Sequence, residues 1–185
     1  MIYDEKGYLY LCYGEGKNKT SSALGMALRA MGSNWSVYLG QFLKNESAWA
    51  YGEIKMFKQL NSEDLTIRQF GAERISKGCR WSDLEIISAR KGWKEVKKIL
   101  SGRDKTIPPY KMVILDELNV IIDLGFIDID EVVEAIKNRP YYMEVAITGR
   151  GKHDKLIEIA DVVTEMVEVK HYYKKGIMAR QGIEY

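Results

Sequence analysis

Residues 14–20 read Gly-Glu-Gly-Lys-Asn-Lys-Thr, a set of residue types suited to holding an anion. A β-prone run, YLYLCY at 8–13, leads into them, and a helical pattern, TSSALGMALRAM at 20–31, leads out. In that order the backbone N–H groups of the turn and the positive end of a helix meet at one point, which makes an anion site. Gly14 and Gly16 free the backbone for conformations that other residues resist. Lys17 and Lys19 bring positive charge, with Lys19 placed to set a point charge on phosphate oxygens. The Thr20 hydroxyl can ligate Mg²⁺ where the helix starts. Glu15, Asn18 and Ser21 complete the stretch assigned to nucleotide phosphates, ATP being the expected ligand. The usual pattern for such a loop is G-x-x-x-x-G-K-[ST]. This chain departs from it twice, with Tyr13 at the first glycine position and Asn18 at the second. The alternative is an ordinary strand-to-helix turn in which Thr20 or Ser21 only caps the helix.

A second group lies at 111–118, KMVILDEL, where an apolar run ends in Asp116 and Glu117. Ligands of open α/β sheets collect at the carboxyl ends of the strands, so this pair is expected to face the loop. Mg²⁺ is held by one or two carboxylates together with phosphate oxygens and waters. Thr20, Asp116 and Glu117 meet that demand, for Mn²⁺ as well as Mg²⁺. The other reading has Asp116 capping the next helix and Glu117 in solvent. Arg150, between glycines in AITGRG at 146–151, either reaches a phosphate or ribose or is solvated. Arg29 on the first helix either folds back on the phosphates or faces water.

These groups need a scaffold, and the chain alternates strand and helix patterns, as expected for a parallel sheet with crossover helices. Strands are expected at 8–13, 37–43, 65–70, 112–115, 144–148 and 162–169. Helices are expected at 20–31 with Gly32 as C-cap, at 82–100, at 118–124 ending at Gly125, from the N-cap Asp128 to 137, and at 152–160. The 82–100 helix would bury Leu84, Ile87, Val96, Ile99 and Leu100, with Trp93. Segment 53–60 is ambiguous, and 170–185 carries no clear period. With 185 residues, 46% hydrophobic content and three prolines, the expectation is a single α/β nucleotide-binding domain over 1–185.

The formal net charge of +2 gives no bulk electrostatic case for nucleic acid. No apolar stretch approaches the ~20 residues that span a bilayer, and the N-terminus lacks a signal pattern. A cytoplasmic protein is expected, in keeping with only two cysteines, Cys12 and Cys79. Cys12 reads as a buried inert thiol, and His153 and His171 as structural histidines.

Taken together, these pieces resemble the corrinoid adenosyltransferases of cobalamin biosynthesis, a RecA-like P-loop family. The resemblance lies in the altered loop (GNGKGKTT in the family, residues 14–21 here). It continues in ALRAMG at 27–32, VYLGQFLK at 37–44, VILDEL at 113–118, NRP at 138–140 and ITGRG at 147–151. It closes with Ala160-Asp161, Thr164-Glu165, Val169-Lys170-His171, Gly176-Ile177 and Gly182-Ile183-Glu184, and leaves out about 46–110. The resemblance implies that cob(I)alamin attacks the ribose C5′ of ATP, bound in reversed polarity, and that intact triphosphate departs. It implies that Lys17, Lys19 and the amides of 14–20 neutralise the triphosphate. Thr20 and Glu117 would hold the metal with Asp116 behind them, making Lys19, Thr20 and Glu117 the residues of the reaction, while Arg29 and Arg150 contact ATP. A homodimer and a flavodoxin-like electron donor are implied as well. The family's mid-chain aromatics lack a match in spacing, and Phe70 and Trp81 read as core. The competing functions are another RecA-like kinase or ATPase, and a non-catalytic ATP-binding module.

Overall fold

The computed structural model describes residues 6–45, 51–60, 62–72, 82–107 and 109–185. Cys79 and Trp81 lie outside these residues. Six strands, β1 (Leu9–Tyr13), β2 (Val37–Phe42), β3 (Leu65–Phe70), β4 (Met112–Asp116), β5 (Glu144–Thr148) and β6 (Val162–Glu165), form one sheet in the order β3-β2-β4-β5-β1-β6. All five pairings are parallel, with Leu11 beside Ile147, Ile114 beside Ala146 and Gln41 beside Asp116. Every residue of β2 and β4 is buried, the pattern of inner strands covered on both faces.

Parallel neighbours require crossovers, supplied by α1 (Lys19–Met31), α2 (Gly52–Leu60), α3 (Asp83–Ser101), α4 (Leu118–Asp123), α5 (Ile129–Lys137) and α6 (Asp154–Ile159). On one face α1 and α2 set Ala23, Leu24, Ala27, Ile54 and Phe57 against Leu39, Ile114 and Ala146. On the other, α3 to α6 cover Leu11, Tyr38, Val113, Leu115 and Ile147. Leu115 is wholly buried, which contributes on the order of 2 kcal/mol relative to exposure. The chain is therefore an α/β fold, a parallel sheet flanked by helices. All the strand C-termini lie along one edge, so the ends of β1, β2, β4 and β5 come together there.

Several sequence expectations change here. The 53–60 segment is α2. The last strand stops at Glu165 instead of 169, and a 3₁₀ turn, Tyr172–Lys175, follows it. Asp128 does cap α5, accepting from the N–H groups of Asp130 (2.7 Å) and Glu131 (3.3 Å). The apolar side of α3 was misplaced: Leu84 and Ile87 are 59% and 60% exposed, while Glu85, Ala89, Trp93, Val96, Ile99 and Leu100 are buried. Ile87 precedes Val96 by nine positions, two and a half turns at about 3.6 residues per turn, and so points the opposite way. Glu85 is accommodated because its carboxylate accepts from the Ala72 N–H at 3.1 Å. Cys12 is half-buried rather than buried. Phe70 is core, packed on Phe42 with ring centroids 5.4 Å apart.

Candidate active site

The turn after β1 is shaped by its contact with residue 166. Gly14 has φ of 109° and donates its N–H to the Arg150 carbonyl at 3.2 Å. Gly16 donates to the Met166 carbonyl at 2.6 Å. A Cβ on Gly14 or Gly16 would lie 2.5 or 2.7 Å from Met166 backbone atoms, so both glycines are required by packing, and Gly14 by its positive φ as well. Asn18, with φ of 80°, precedes α1 without a side-chain cap. Neither Thr20 nor Ser21 is the N-cap, which removes the reading in which they only cap the helix. The Lys19 ammonium lies across the turn, donating to the carbonyls of Gly14 (2.6 Å) and Gly16 (2.7 Å). Burial pulls its pKa below the ordinary lysine value, with nearby Glu117 opposing and Arg150 adding to the fall.

Thr20 joins the loop to β4. Its hydroxyl donates to Asp116 Oδ1 at 2.9 Å. Thr148, at the end of β5, donates to the same oxygen at 2.6 Å. Asp116 Oδ2 accepts from Gln41 Nε2 at 3.0 Å and from Lys44 Nζ at 2.8 Å. Gln41 is in turn fixed by Gln69 Nε2, which donates to its side-chain oxygen at 2.8 Å. Asp116 is fully buried. Burial alone would push its pKa up, but the Lys44 charge and the bonds from Lys44, Thr148 and Thr20 hold it below the usual carboxylate value. A carboxylate has about four lone-pair positions, and four donors occupy them. Asp116 therefore anchors the loop and does not cap α4.

Glu117 faces a different environment. It has φ of 61° and its N–H donates to Thr148 Oγ1 at 3.1 Å. Burial, then the charge of Asp116, push its pKa up, against Lys44, Lys19 and Arg150. Leu43, just before Lys44, has φ of 57°. Left-handed backbone at a non-glycine residue costs of order 1–3 kcal/mol and concentrates at functional sites. Of the four such residues among those described, Asn18 precedes α1, Leu43 precedes Lys44 and Glu117 borders the site, while Asn34 follows α1.

These groups open on a cleft of about 590 Å³ whose lining includes Thr20, Lys44, Tyr51, Glu117, Ile183 and Tyr185, within the usual size range of ligand sites. Ser21 also lines it. Arg150 is exposed beside the loop, paired with Glu15 at 2.9 Å. Lys17 is turned to the chain's end, donating to Tyr172 Oη at 2.8 Å and pairing with Glu184. Arg29 is not brought to this edge. It sits in the last turn of α1, about 15 Å along the axis from Lys19 at 1.5 Å per residue. There it borders a separate cleft of about 400 Å³ with Tyr10, Trp35 and Glu144.

Both histidines make contacts within the fold. His153 Nε2 lies 3.2 Å from Asp123 Oδ1 and 3.2 Å from the Asn119 carbonyl. His171 Nδ1 accepts from the Tyr173 N–H at 3.1 Å. Sequence reading gave no role to Gln41, Lys44, Thr148, Tyr172 or Glu184. A polar Gln41 within an otherwise apolar buried strand was the available signal.

Among the described residues no three His, Cys, Asp or Glu side chains cluster to hold a metal alone. Thr20 and Glu117 on one cleft fit instead a cation that takes most of its ligands from phosphate and water. No helix of the described residues is long and apolar enough to cross a membrane.

The model of the family described as ATP:corrinoid adenosyltransferase BtuR/CobO/CobP matches residues 5–185. A Pseudomonas aeruginosa protein named corrinoid adenosyltransferase is 37% identical, over 98% of this chain and 85% of its own length. An Escherichia coli protein of the same name is 33% identical, over 98% of this chain and 87% of its own. One from Salmonella typhimurium is 31% identical, again over 98% and 87%.

Proposed function

The chain belongs to the ATP:corrinoid adenosyltransferase family, and on that footing we propose that it transfers the 5′-deoxyadenosyl group of ATP to the cobalt of a reduced corrinoid and releases triphosphate. In this reaction the cobalt–carbon bond forms as the C5′–oxygen bond breaks, and the electron pair leaves with triphosphate. The observation that carries the reading is the Thr20–Asp116 hydrogen bond, which ties the loop to the acidic strand end around one cleft.

The protein's part is to position the two substrates and to neutralise charge on the leaving group. Lys19 and the loop amides face the triphosphate, with Lys17 and Arg150 at its rim. Thr20 and Glu117 would ligate Mg²⁺ or Mn²⁺, which when bound supplies further positive charge to the phosphate oxygens. Asp116 holds the Thr20 hydroxyl from behind. Residues 1–185 act as one nucleotide-binding domain, in the cytoplasm and as a homodimer. A flavodoxin-like donor supplies the reduced corrinoid.

The test is anaerobic incubation with ATP, Mg²⁺ and chemically reduced cob(I)alamin, following the cobalt spectrum and triphosphate. ADP and phosphate formed without corrinoid would instead mark an ordinary ATPase. Lys19→Ala should abolish transfer, and because it also removes the bonds to the Gly14 and Gly16 carbonyls it should cost about 1–3 kcal/mol in stability, with circular dichroism showing that the variant is folded at the assay temperature.

A further inference from the structure

The C-terminal residues 182–185 line the same cleft as Thr20 and Glu117, and one carboxylate fastens them there. Glu184 accepts from the Arg180 N–H at 2.7 Å and from Arg180 Nε at 3.4 Å, and is bonded by Tyr172 Oη and Lys17 Nζ. The Arg180 guanidinium lies 4.8 Å from the centre of the Tyr172 ring, and the Lys17 ammonium is at that ring's hydroxyl, 2.8 Å from Oη. Of these groups only Lys17 comes from outside the tail, across a separation of 167 residues. The Glu184 side chain is 17% exposed and that of Lys17 30% exposed, so the contact is covered by the tail that it holds.

We propose that Glu184 is a positioning residue for the phosphate loop: from the tail that lines the cleft it fixes the Lys17 ammonium beside the loop. The proposal rests on the reading of 14–20 as a triphosphate-binding loop. A lysine is a point charge on a flexible four-carbon stem, and it binds an anion better when its freedom is already spent. The cluster stays attractive to triphosphate despite its carboxylate, because Lys17 and Arg180 carry two positive charges against the one of Glu184.

Titration calorimetry with ATP and Mg²⁺ tests this without any corrinoid. Glu184→Ala should weaken ATP roughly three- to tenfold, the range for re-immobilising one long side chain, and Glu184→Asp should recover part of the loss. In turnover KM for ATP should rise more than kcat falls. Lys17→Ala should also weaken ATP, and the double variant should bind no more weakly than Lys17→Ala alone. If the alanine variant melts early, Glu184→Gln decides, since it keeps an acceptor for Tyr172 and loses only the charge. Unchanged or tighter ATP binding without the Glu184 charge would overturn the proposal, as would additive losses in the double variant. A parent chain that binds no ATP would sink the phosphate-loop reading and this inference with it. ATP binding without adenosyl transfer would leave this inference standing and remove only the assigned reaction.

Discussion

Lys44→Met isolates the buried charge at the centre of the site. Methionine keeps most of the apolar stem and removes the ammonium 2.8 Å from Asp116 Oδ2. Breaking one side of a buried pair costs about 3–5 kcal/mol, because the remaining charge is uncompensated. Asp116 would keep its bonds from Thr20, Thr148 and Gln41, so the lower end, about 3 kcal/mol, is expected. For a chain of this size each kcal/mol moves the melting temperature by about 2–4 °C, giving a fall of roughly 6–12 °C. The pH dependence follows from the shifts. In the parent chain the folded Asp116 lies below its ordinary 3.8, so its contribution is present above that value and lost as pH falls through the lower folded one. Lys44 is raised above 10.5, burial opposing and the Asp116 charge prevailing. Its contribution is therefore present below 10.5 and lost only as pH rises through the higher folded value. The pair is thus flat between about pH 5 and 9. In Lys44→Met, burial of Asp116 is no longer opposed by that charge and its folded pKa climbs, so the deficit should shrink from pH 8 towards pH 5. Thermal melts by circular dichroism at both pH values, with EDTA present, measure this. A fall under about 2 °C at pH 8, or a deficit that grows on acidification, would refute the electrostatic account. Adding Asp116→Asn to Lys44→Met should recover much of the loss, since no unpaired charge remains.

Two other substitutions test the packing. Gly16→Ala puts a methyl 2.7 Å from the Met166 carbonyl, where only backbone can yield. A loss of about 1–3 kcal/mol in denaturant melts is expected, together with loss of adenosyl transfer, and parent-like behaviour would show that the loop does not rest on residue 166. On α3, Ile87→Gln should change stability by less than about 0.5 kcal/mol, while Val96→Ala, at a wholly buried side chain, should cost about 1–3 kcal/mol. Equal effects in urea melts would show that the helix faces are wrongly assigned.

The sheet was legible because continuous apolar runs such as MVIL admit few alternatives, and the glycine-bearing turn between strand and helix marked the site. Phase was less legible. On α3 the hydrophobic residues fall on two sides, and only tertiary packing decides that Glu85 goes in and Ile87 out. The closing motifs conceal a division of labour that spacing does not show. Asp161 accepts from the Leu9 N–H at 2.8 Å and positions β1. Arg139 of the NRP stretch donates to the carbonyls of Ile136, Met143 and Gly7. Both serve the scaffold, whereas Glu184 reaches the loop. Arg29, given to ATP by the resemblance, stands in the last turn of a helix of 13 residues, away from the loop that starts it.

The adjacent carboxylates show how far residue type falls short of role. By residue type alone Asp116 and Glu117 are both candidates for a metal, and the resemblance puts Glu117 on it with Asp116 behind. In the fold, β4 ends between them. Asp116 still alternates with the strand and points into the layer where Gln41, Lys44, Thr20 and Thr148 spend its acceptors. One residue later the backbone has turned left-handed, and Glu117 borders the cleft with a raised pKa. Environments that drive neighbouring acids apart divide their work. The ionised Asp116, with donors on both oxygens, fixes geometry. Glu117, raised by burial and by Asp116 against Lys44, Lys19 and Arg150, would gain from a further positive charge. A divalent ion carried in on triphosphate would supply that charge, with Thr20 already held in place by Asp116.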